Sequence, residues 1–192
     1  NTFCQSLGKF AHREISGDSL REAVRSYNEN RTRVRELYQL RKPEPPLISG
    51  TEMTKVLVAA MSLPVEESTR LIASVISEVK QRASLPAQHS ARLMVVSPEV
   101  NDIAFIKLIE DSGAWVVCDD ICPGTRENLP LVDITEDPLE GIAERYLRKI
   151  KCSRTFRERK GTYAEYLEER FGHIGRYIKD YQVDGVILYI YK

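Results

Sequence analysis

The sequence predicts an α/β protein, in which a helical N-terminal segment is followed by a truncated parallel sheet with flanking helices. Apolar residues recur at helical spacing through the first half of the chain. Short continuous apolar runs, typical of buried parallel strands, follow residue 90. These runs alternate with helical patterns, as in right-handed strand–helix–strand units. We therefore divide the chain into a helical segment, 1–90, and an α/β parallel-sheet domain, 91–192, that is incomplete at its C-terminus.

Three helices are predicted in the helical segment. The first opens at a capping box at 19–22, in which a serine and a glutamate bond reciprocally to backbone amides. It ends before the prolines of 43–46, which lack the amide donor that a helix needs. A second capping box, at 49–52, opens the next helix, and Pro64 marks the start of the third. The polar stretch 84–90 is predicted to be a connector.

Six elements are predicted in the α/β domain, in the order strand, helix, strand, helix, helix, strand. Gly113 is expected to end the first of these helices. Asp137 is expected to cap the second, and a capping box at 162–165 to open the third. The predicted elements are 93–96, 103–111, 114–118, 138–147, 163–180 and 183–191. Three strands make a thin sheet compared with the roughly five of a complete doubly wound domain. We therefore expect a piece of a longer protein.

Composition and charge exclude several classes of protein. The chain carries 28 basic and 28 acidic residues, whereas nucleic-acid-binding proteins carry a clustered basic excess. No apolar run approaches the roughly 18 residues of a membrane span, and no signal peptide is visible. Four cysteines are few for a secreted disulfide framework. We expect a cytoplasmic protein that binds neither nucleic acid nor membrane. The basic stretch 148–160 is either a solvated loop or a patch facing an anionic ligand or partner.

Two loops at the carboxyl ends of predicted strands are candidate binding sites, because ligands of open parallel sheets bind beyond these ends. The loop after the first strand is short. The loop after the second strand combines two adjacent carboxylates, a glycine turn, a hydroxyl and a guanidinium. The candidate ligand-binding residues are Ser97, Glu99, Asp119, Asp120, Gly124, Thr125 and Arg126.

The adjacent aspartates leave three interpretations open. Asp119 and Asp120 could bind a hard cation such as Mg²⁺, as in response-regulator-like sheets. They could raise one another's pKa and serve in acid–base chemistry. Alternatively, one could cap the loop while the other pairs with Arg126.

The thiols and imidazoles give weaker signals. Cys118 falls in a predicted strand and is expected in the core, whereas Cys122 lies on the loop and is a weak candidate for contact with a metal, cofactor or substrate. Their spacing is not that of a zinc ribbon. No glycine-rich dinucleotide or Walker-type motif is present. We expect all three histidines at the surface, with no partner for a triad or metal pair: His12, His89 and His173.

Eight short segments, in one consistent order along almost the whole chain, carry a family resemblance. They are LREAV at 20–24, YNENR at 27–31, ISG at 48–50, LIEDSGA at 108–114, VCDDICPGTR at 117–126, DPL at 137–139, AERYL at 143–147 and YQVDGVI at 181–187. Together they resemble the iron–sulfur subunits of the 2-hydroxyacyl-CoA dehydratase and benzoyl-CoA reductase family. No single segment is decisive, but the series is specific.

The resemblance implies a fold and a chemistry. Family subunits have two flavodoxin-like or Rossmann-like domains and a helical part, with a 4Fe–4S cluster held by three cysteines. An ATP-hydrolysing activator gives the cluster one low-potential electron, which passes to the acyl-CoA thioester and forms a ketyl radical anion that loses the hydroxyl. The benzoyl-CoA branch instead reduces the aromatic ring. The resemblance also implies a second homologous subunit as the partner in a heterodimer.

The resemblance implies a substrate-binding role for the loop 119–126, which would line the cleft. Arg126 would contact the anionic acyl-CoA, and Asp119 and Asp120 would orient the loop and the substrate. The chain departs from the family pattern in its cysteines, because two cluster ligands are expected before residue 1 and a third just beyond Lys192. No cluster ligand is therefore assigned to a cysteine of this chain. A non-catalytic assembly subunit of the same complex, and a stand-alone response-regulator-like module, remain as alternatives.

Overall fold

The computed structural model describes residues 2–82, 91–156 and 158–190. The helices are α1 Thr2–Phe10, α2 Gly17–Gln39, α3 Gly50–Met61, α4 Val65–Gln81, α5 Ile103–Asp111, α6 Pro138–Glu144 and α7 Tyr163–Asp180. The strands are β1 Ala91–Val96, β2 Ala114–Asp120 and β3 Gly185–Leu188. An irregular turn, Cys122–Arg126, with non-helical backbone at Gly124, follows β2, and a single π-helical turn, Arg145–Lys149, follows α6. The predicted connector 84–90, with His89, lies outside the described residues.

The three strands form an open parallel sheet in the order β2-β1-β3. Helices flank the sheet, so the predicted α/β class is confirmed. The chain runs from β1 to β2 on one side and then crosses to the other side of β1 for β3. In such sheets the connections diverge at the carboxyl ends of the strands and leave a crevice there. The loops after β1 and β2 lie at this edge.

Local capping chemistry explains where most helices begin. The capping boxes at Ser49 and Thr162 are both present, with serine or threonine and glutamate bonding reciprocally. The capping box predicted at 19–22 is wrong, because α2 begins at Gly17 and Ser16 is its N-cap. The Ser16 hydroxyl oxygen accepts from the Ser19 amide at 3.1 Å. Ser19 lies within the first turn, where its hydroxyl donates to the Ser16 carbonyl at 2.8 Å.

One helix and several element boundaries differ from the sequence prediction, since β1 and β2 are also each two residues longer than predicted. Helix α1 was not predicted, and none of its residues is buried. The helix predicted at 138–147 changes at Arg145 from α-helix to a π-helical turn. Strand β3 is shorter than 183–191 because the Val183 amide still bonds to the Ile178 carbonyl, at 2.9 Å, and so completes the end of α7. Tyr191 lies outside the described residues.

The apolar core consists of two clusters. The larger one joins helices α2, α3 and α4 to the sheet, where its members are Met94, Val96, Trp115, Val117 and Cys118. The smaller one lies between α5 and the sheet, and its members are Val95, Val100, Ile106, Ile109, Ala114, Val116 and Ile121. Side chains alternate across a strand, so neighbours such as Val95 and Val96 enter different clusters. Val117 and Cys118 enter the same cluster, where the register between β1 and β2 shifts. None of the helices in 2–82, 91–156 and 158–190 is long and apolar enough to cross a membrane.

Strand β2 is an edge strand of this sheet, yet all seven of its residues are buried. The Arg41 guanidinium donates to the Val116 carbonyl at 2.5 Å, and the Glu110 carboxylate accepts from the Val116 amide at 3.3 Å. Glu110 also accepts from the amides of Gly50 at 2.7 Å and Thr51 at 2.9 Å, at the start of α3. A Cβ on Gly50 would lie 2.6 Å from Val116 Cβ. Side chains therefore satisfy edge groups that would otherwise be open to pairing with another strand.

The helical segment and the α/β domain are joined by polar contacts as well as by the core. The buried Arg92 side chain donates to the Tyr181 carbonyl at the end of α7 and to the carbonyls of 41–43 after α2. It thereby holds the ends of two helices beside β1. The proposed division at residue 90 stays a prediction.

Candidate functional site

The two candidate loops lie side by side at the carboxyl edge of the sheet. The Ser97 amide donates to the Asp120 carbonyl at 3.3 Å, and the Cys122 amide donates to the Pro98 carbonyl at 2.9 Å. These bonds continue the pairing of β1 with β2 beyond the ends of the strands. The Cys122–Arg126 turn is therefore fixed against the loop that follows β1.

Asp119 connects this turn to helix α2. Its Oδ2 accepts from the Tyr38 hydroxyl at 2.7 Å and from Arg41 Nη1 at 3.2 Å, and its Oδ1 accepts from the Thr125 amide at 2.9 Å. Burial, and then the neighbouring Asp119 charge, raise the pKa of Tyr38 well above its ordinary value. The hydroxyl therefore keeps its proton and remains a donor. Asp119, which is only 5% exposed, acts as an internal cap of the turn.

Gly124 allows the turn to approach Asp119. A Cβ at this position would lie 2.1 Å from Asp119 Oδ1, so only glycine fits without moving the carboxylate. The Thr125 hydroxyl donates to the Asp119 carbonyl at 2.9 Å, and the Asn128 amide group donates to the Gly124 carbonyl at 2.8 Å. The polar groups of the turn are thus directed inward and bond to the protein itself.

Asp120 pairs with Arg126 in a bidentate contact. Arg126 Nε lies 2.9 Å from Asp120 Oδ1, and Nη2 lies 2.7 Å from Oδ2. The third guanidinium nitrogen, Nη1, donates to the Pro98 carbonyl at 3.4 Å and lies 3.5 Å from Cys122 Sγ. All three nitrogens of Arg126 are therefore engaged within the chain. Burial alone would lower the pKa of Arg126, but the facing Asp120 outweighs it and raises this pKa, as is typical of a charge-assisted pair.

His173 in α7 is a further member of this group of side chains. It is only 4% exposed, and its Nε2 lies 3.4 Å from Asp120 Oδ1, close enough for an ion pair but without hydrogen-bond geometry. The ring meets Tyr177 edge-on, with 6.0 Å between centroids. Burial alone would raise the pKa of Asp120, but the contacts with His173 and Arg126 outweigh it and lower this pKa below its ordinary value.

The expected surface position of His173 is wrong, whereas His12 is exposed as predicted. His173 lies four residues before Tyr177, on the face of α7 that packs against the core. That helical spacing is the signal that could have identified it as buried. Tyr38 carries a similar signal, because it follows Val34 and Leu37 on the buried face of α2.

The aspartates match the third interpretation, since Asp119 caps the turn and Asp120 pairs with Arg126. Residues 2–82, 91–156 and 158–190 contain no group of three or more His, Cys, Asp or Glu side chains that could hold a metal ion. Of the seven candidate ligand-binding residues, Glu99 is exposed and the other six are buried. The hydroxyl of the buried Ser97 has no hydrogen-bond partner within the described part of the chain. The substrate-binding roles of these residues stay predictions.

The cysteines differ in their surroundings. Cys118 lies in the core as expected, and burial raises the pKa of its thiol, so it remains protonated. Cys122 is exposed at the start of the turn, while Cys4 and Cys152 are half-buried. These thiols form no three-cysteine group in the described ranges. The described residues on their own therefore do not fit an iron–sulfur cluster.

The sequence of this chain matches a known protein family and several known proteins. The family described as "2-hydroxyglutaryl-CoA dehydratase, D-component" matches residues 1–192. A protein of Escherichia coli (strain K12) named as dehydratase subunit YjiM is 27% identical over 186 residues, which cover 93% of this chain and 45% of that protein. A benzoyl-CoA reductase subunit of Thauera aromatica is 27% identical over 174 residues, covering 88% of this chain and 45% of the relative.

A third relative is the (R)-phenyllactyl-CoA dehydratase beta subunit of Clostridium sporogenes, which is 22% identical over 188 residues. That match covers 98% of this chain and 48% of the relative. The chain thus spans about half the length of the curated relatives that it matches. Because the family match extends over every residue from 1 to 192, the chain belongs to the 2-hydroxyglutaryl-CoA dehydratase D-component family.

Proposed function

We propose that this chain is part of an iron–sulfur subunit of an acyl-CoA dehydratase, a lyase of anaerobic metabolism that acts on 2-hydroxyacyl-CoA thioesters. The observation that carries the proposal is the family match over residues 1–192. Relatives named as a phenyllactyl-CoA dehydratase subunit and a benzoyl-CoA reductase subunit support an acyl-CoA substrate. In this proposal, an ATP-dependent activator supplies the low-potential electron that reduces the thioester.

A 4Fe–4S cluster would carry that electron. Because the described cysteines do not form a three-thiol site, its ligands would come from parts of the protein outside this chain. The exposed Cys122 lies at the start of the turn at the proposed substrate edge. The relatives are named as subunits, which supports a second homologous subunit as the heterodimer partner. We place the complex in the cytoplasm.

The carboxyl edge of the sheet would position the thioester. The polar side chains of the Cys122–Arg126 turn are held inside the protein, so the turn offers a rigid surface rather than free charges. Arg126 would then act in one of two ways. It either exchanges a bond to Pro98 for one to the substrate, or it holds the turn through Asp120 without touching the substrate.

Kinetic variants of Arg126 separate these two roles. If Arg126 contacts the acyl-CoA, Arg126→Ala raises KM for the thioester more than it lowers kcat, and Arg126→Lys restores part of the affinity. If Arg126 only holds the turn, kcat falls and Arg126→Lys gives little rescue, because lysine cannot pair bidentately with Asp120. Arg25→Ala, at an exposed arginine of α2, is the control. Unchanged kinetics in both Arg126 variants would exclude both roles.

The proposed function is tested with the full-length protein, produced anaerobically together with its partner subunit. Iron content is measured first, and acyl-CoA turnover is then followed with the activator and ATP. The expected result is bound iron together with ATP-dependent loss of water from a 2-hydroxyacyl-CoA. A full-length protein without iron would overturn the proposal, and iron-free protein in an active complex would indicate the assembly-subunit alternative.

Reduction of an aromatic ring is the second candidate, because a benzoyl-CoA reductase subunit matches this chain with 27% identity. The same preparation is therefore assayed with benzoyl-CoA, following ring absorbance instead of dehydration. Turnover of benzoyl-CoA without turnover of any 2-hydroxyacyl-CoA would favour the reductase.

A further inference from the structure

A second group of charged side chains adjoins the Cys122–Arg126 turn, between α2, α6 and the segment that follows the turn. Arg31 Nη2 and Arg145 Nη2 both donate to Glu127 Oε1, at 3.0 and 3.1 Å. Arg31 is 6% exposed and Arg145 is fully buried. We refer to these residues as the Arg31 cluster. Two guanidinium groups share one carboxylate, so the cluster carries a surplus positive charge.

The two arginines differ in how many hydrogen bonds they make. Arg145 also donates to the Pro130 carbonyl at 2.9 Å and to the Glu127 carbonyl, and so holds the irregular segment after the turn. Arg31 makes a single hydrogen bond and lies over the ring of Tyr27, 5.6 Å from its centroid. Within the described part of the chain, two nitrogens of Arg31, Nε and Nη1, and one of Arg145, Nη1, are shielded from solvent and lack partners.

Buried donors without partners are rare in folded proteins, and those on a cation are the least favourable. The single bond of Arg31 does not account for a buried guanidinium at this place. The surplus charge of the cluster and the unpartnered nitrogens of Arg31 instead indicate that a ligand is bound here in the functioning protein. An anion is the group that would balance both the charge and the donors.

Two neighbouring cavities, of about 190 and 280 Å³, meet at this cluster and share Tyr27, Arg31 and Glu127 as lining residues. The larger cavity is otherwise walled by apolar side chains of α2 and α6, among them Val24 and Ile142. A charged floor with apolar walls is typical of a site for a small amphipathic ligand. The size of the larger cavity suits a short aliphatic or single-ring acid.

We propose that the larger cavity binds a small apolar carboxylate, with Arg31 pairing with the carboxylate and the walls of α2 and α6 covering the hydrocarbon part. The unpartnered nitrogens of Arg31 are enclosed, so binding requires the guanidinium to rotate toward the cavity. Only one hydrogen bond and the Tyr27 ring oppose that rotation. The planar guanidinium matches the two oxygens of a carboxylate. Its lining residues differ from the candidate residues of the Cys122–Arg126 turn, and the proposal does not rest on the proposed function.

The test uses the full-length protein with its partner subunit and para-fluorophenylacetate as the probe, observed by fluorine NMR. The neutral para-fluorophenylacetamide has nearly the same shape and serves as the uncharged comparison. The carboxylate should bind at least about tenfold more tightly than the amide. Arg31→Gln should remove this preference, whereas Arg25→Gln, at an exposed position of the same helix, should leave it unchanged.

A second variant keeps the proposal testable if Arg31→Gln fails to fold. Ala23 is exposed at the wall of the larger cavity, so Ala23→Phe fills the cavity without disturbing the core. It should weaken binding of the carboxylate probe by at least about tenfold. Equal affinity for acid and amide, full binding in Ala23→Phe, or no binding to the wild-type protein would each overturn the proposal. Acyl-CoA turnover, measured separately, decides the proposed function.

Discussion

Replacing Tyr38 by phenylalanine should lower the free energy of unfolding by about 2 kcal/mol. The Tyr38 hydroxyl is fully buried and donates to Asp119 Oδ2 at 2.7 Å. Phenylalanine leaves that carboxylate oxygen with the longer contact to Arg41, at 3.2 Å. A hydrogen bond to a charged acceptor contributes about 1.5–3 kcal/mol, and the estimate lies within this range.

The substitution isolates the hydrogen bond because the ring remains. The Arg41 guanidinium lies 5.3 Å from the centroid of the Tyr38 ring, and this contact and the apolar packing are both kept in phenylalanine. No cavity is created that would add a packing loss. For a chain of this size, about 2 kcal/mol corresponds to a decrease in Tm of roughly 4–8 °C.

Equilibrium urea denaturation measures this loss, with Trp115 as the fluorescent reporter. Trp115 is the single tryptophan of the chain and is 6% exposed in β2, so its emission should change on unfolding. Tyr27→Phe is the matched control, because Tyr27 lies on the same helix and is 51% exposed. A loss in Tyr38→Phe no larger than in this control would refute the claim that the hydroxyl stabilises the turn.

Three further predictions concern the groups that hold the carboxyl edge and the edge of β2. Glu110→Gln replaces one carboxylate oxygen by an amide NH2 group, which cannot accept from the backbone amides at the start of α3. It should lower the free energy of unfolding, measured by urea denaturation, by about 3 kcal/mol. Gly124→Ala should lower the unfolding free energy by about 1–3 kcal/mol because the new Cβ displaces Asp119. Gly175→Ala is the control and should be neutral or stabilising, because nothing lies within 4 Å of a Cβ at that position. Equal effects of the two substitutions would contradict the packing argument. The pKa of Asp120 is lowered from 3.8 in the folded protein. The ionised Asp120 therefore stabilises the fold above pH 3.8, and this stabilisation is lost as pH falls through the lower folded-state pKa. In Asp120→Asn the free energy of unfolding, measured by denaturation from neutral to acid pH, should fall less steeply with decreasing pH.

Local chemistry made much of the fold predictable from the sequence. The capping boxes at Ser49 and Thr162 involve residues three apart, and the strands were visible as apolar runs. Ser16 and Ser19 show the limit of such rules. Both serines lie in one polar stretch, three residues apart, and the choice of N-cap between them depends on where the chain enters the helix.

The contacts that define the candidate site were not predictable in the same way. Tyr38 and Asp119 are 81 residues apart in sequence, and Arg41 reaches Val116 across 75 residues. The loop after β2 was identified because strand order predicts where its end lies. The direction of its side chains was not, because an aspartate faces solvent or core according to the partner that folding brings to it.

The two consecutive carboxylates at the end of β2 give the turn an energetic connection to two distant helices. Asp119 is bonded to Tyr38 and Arg41 just before and after the end of α2, while Asp120 faces His173 of α7. A ligand that shifts the turn must alter both sets of contacts, so its affinity includes their free energies. By thermodynamic reciprocity, substitutions in α2 or α7 that never touch the ligand should change its affinity, and the ligand should in turn change the stability of both helices.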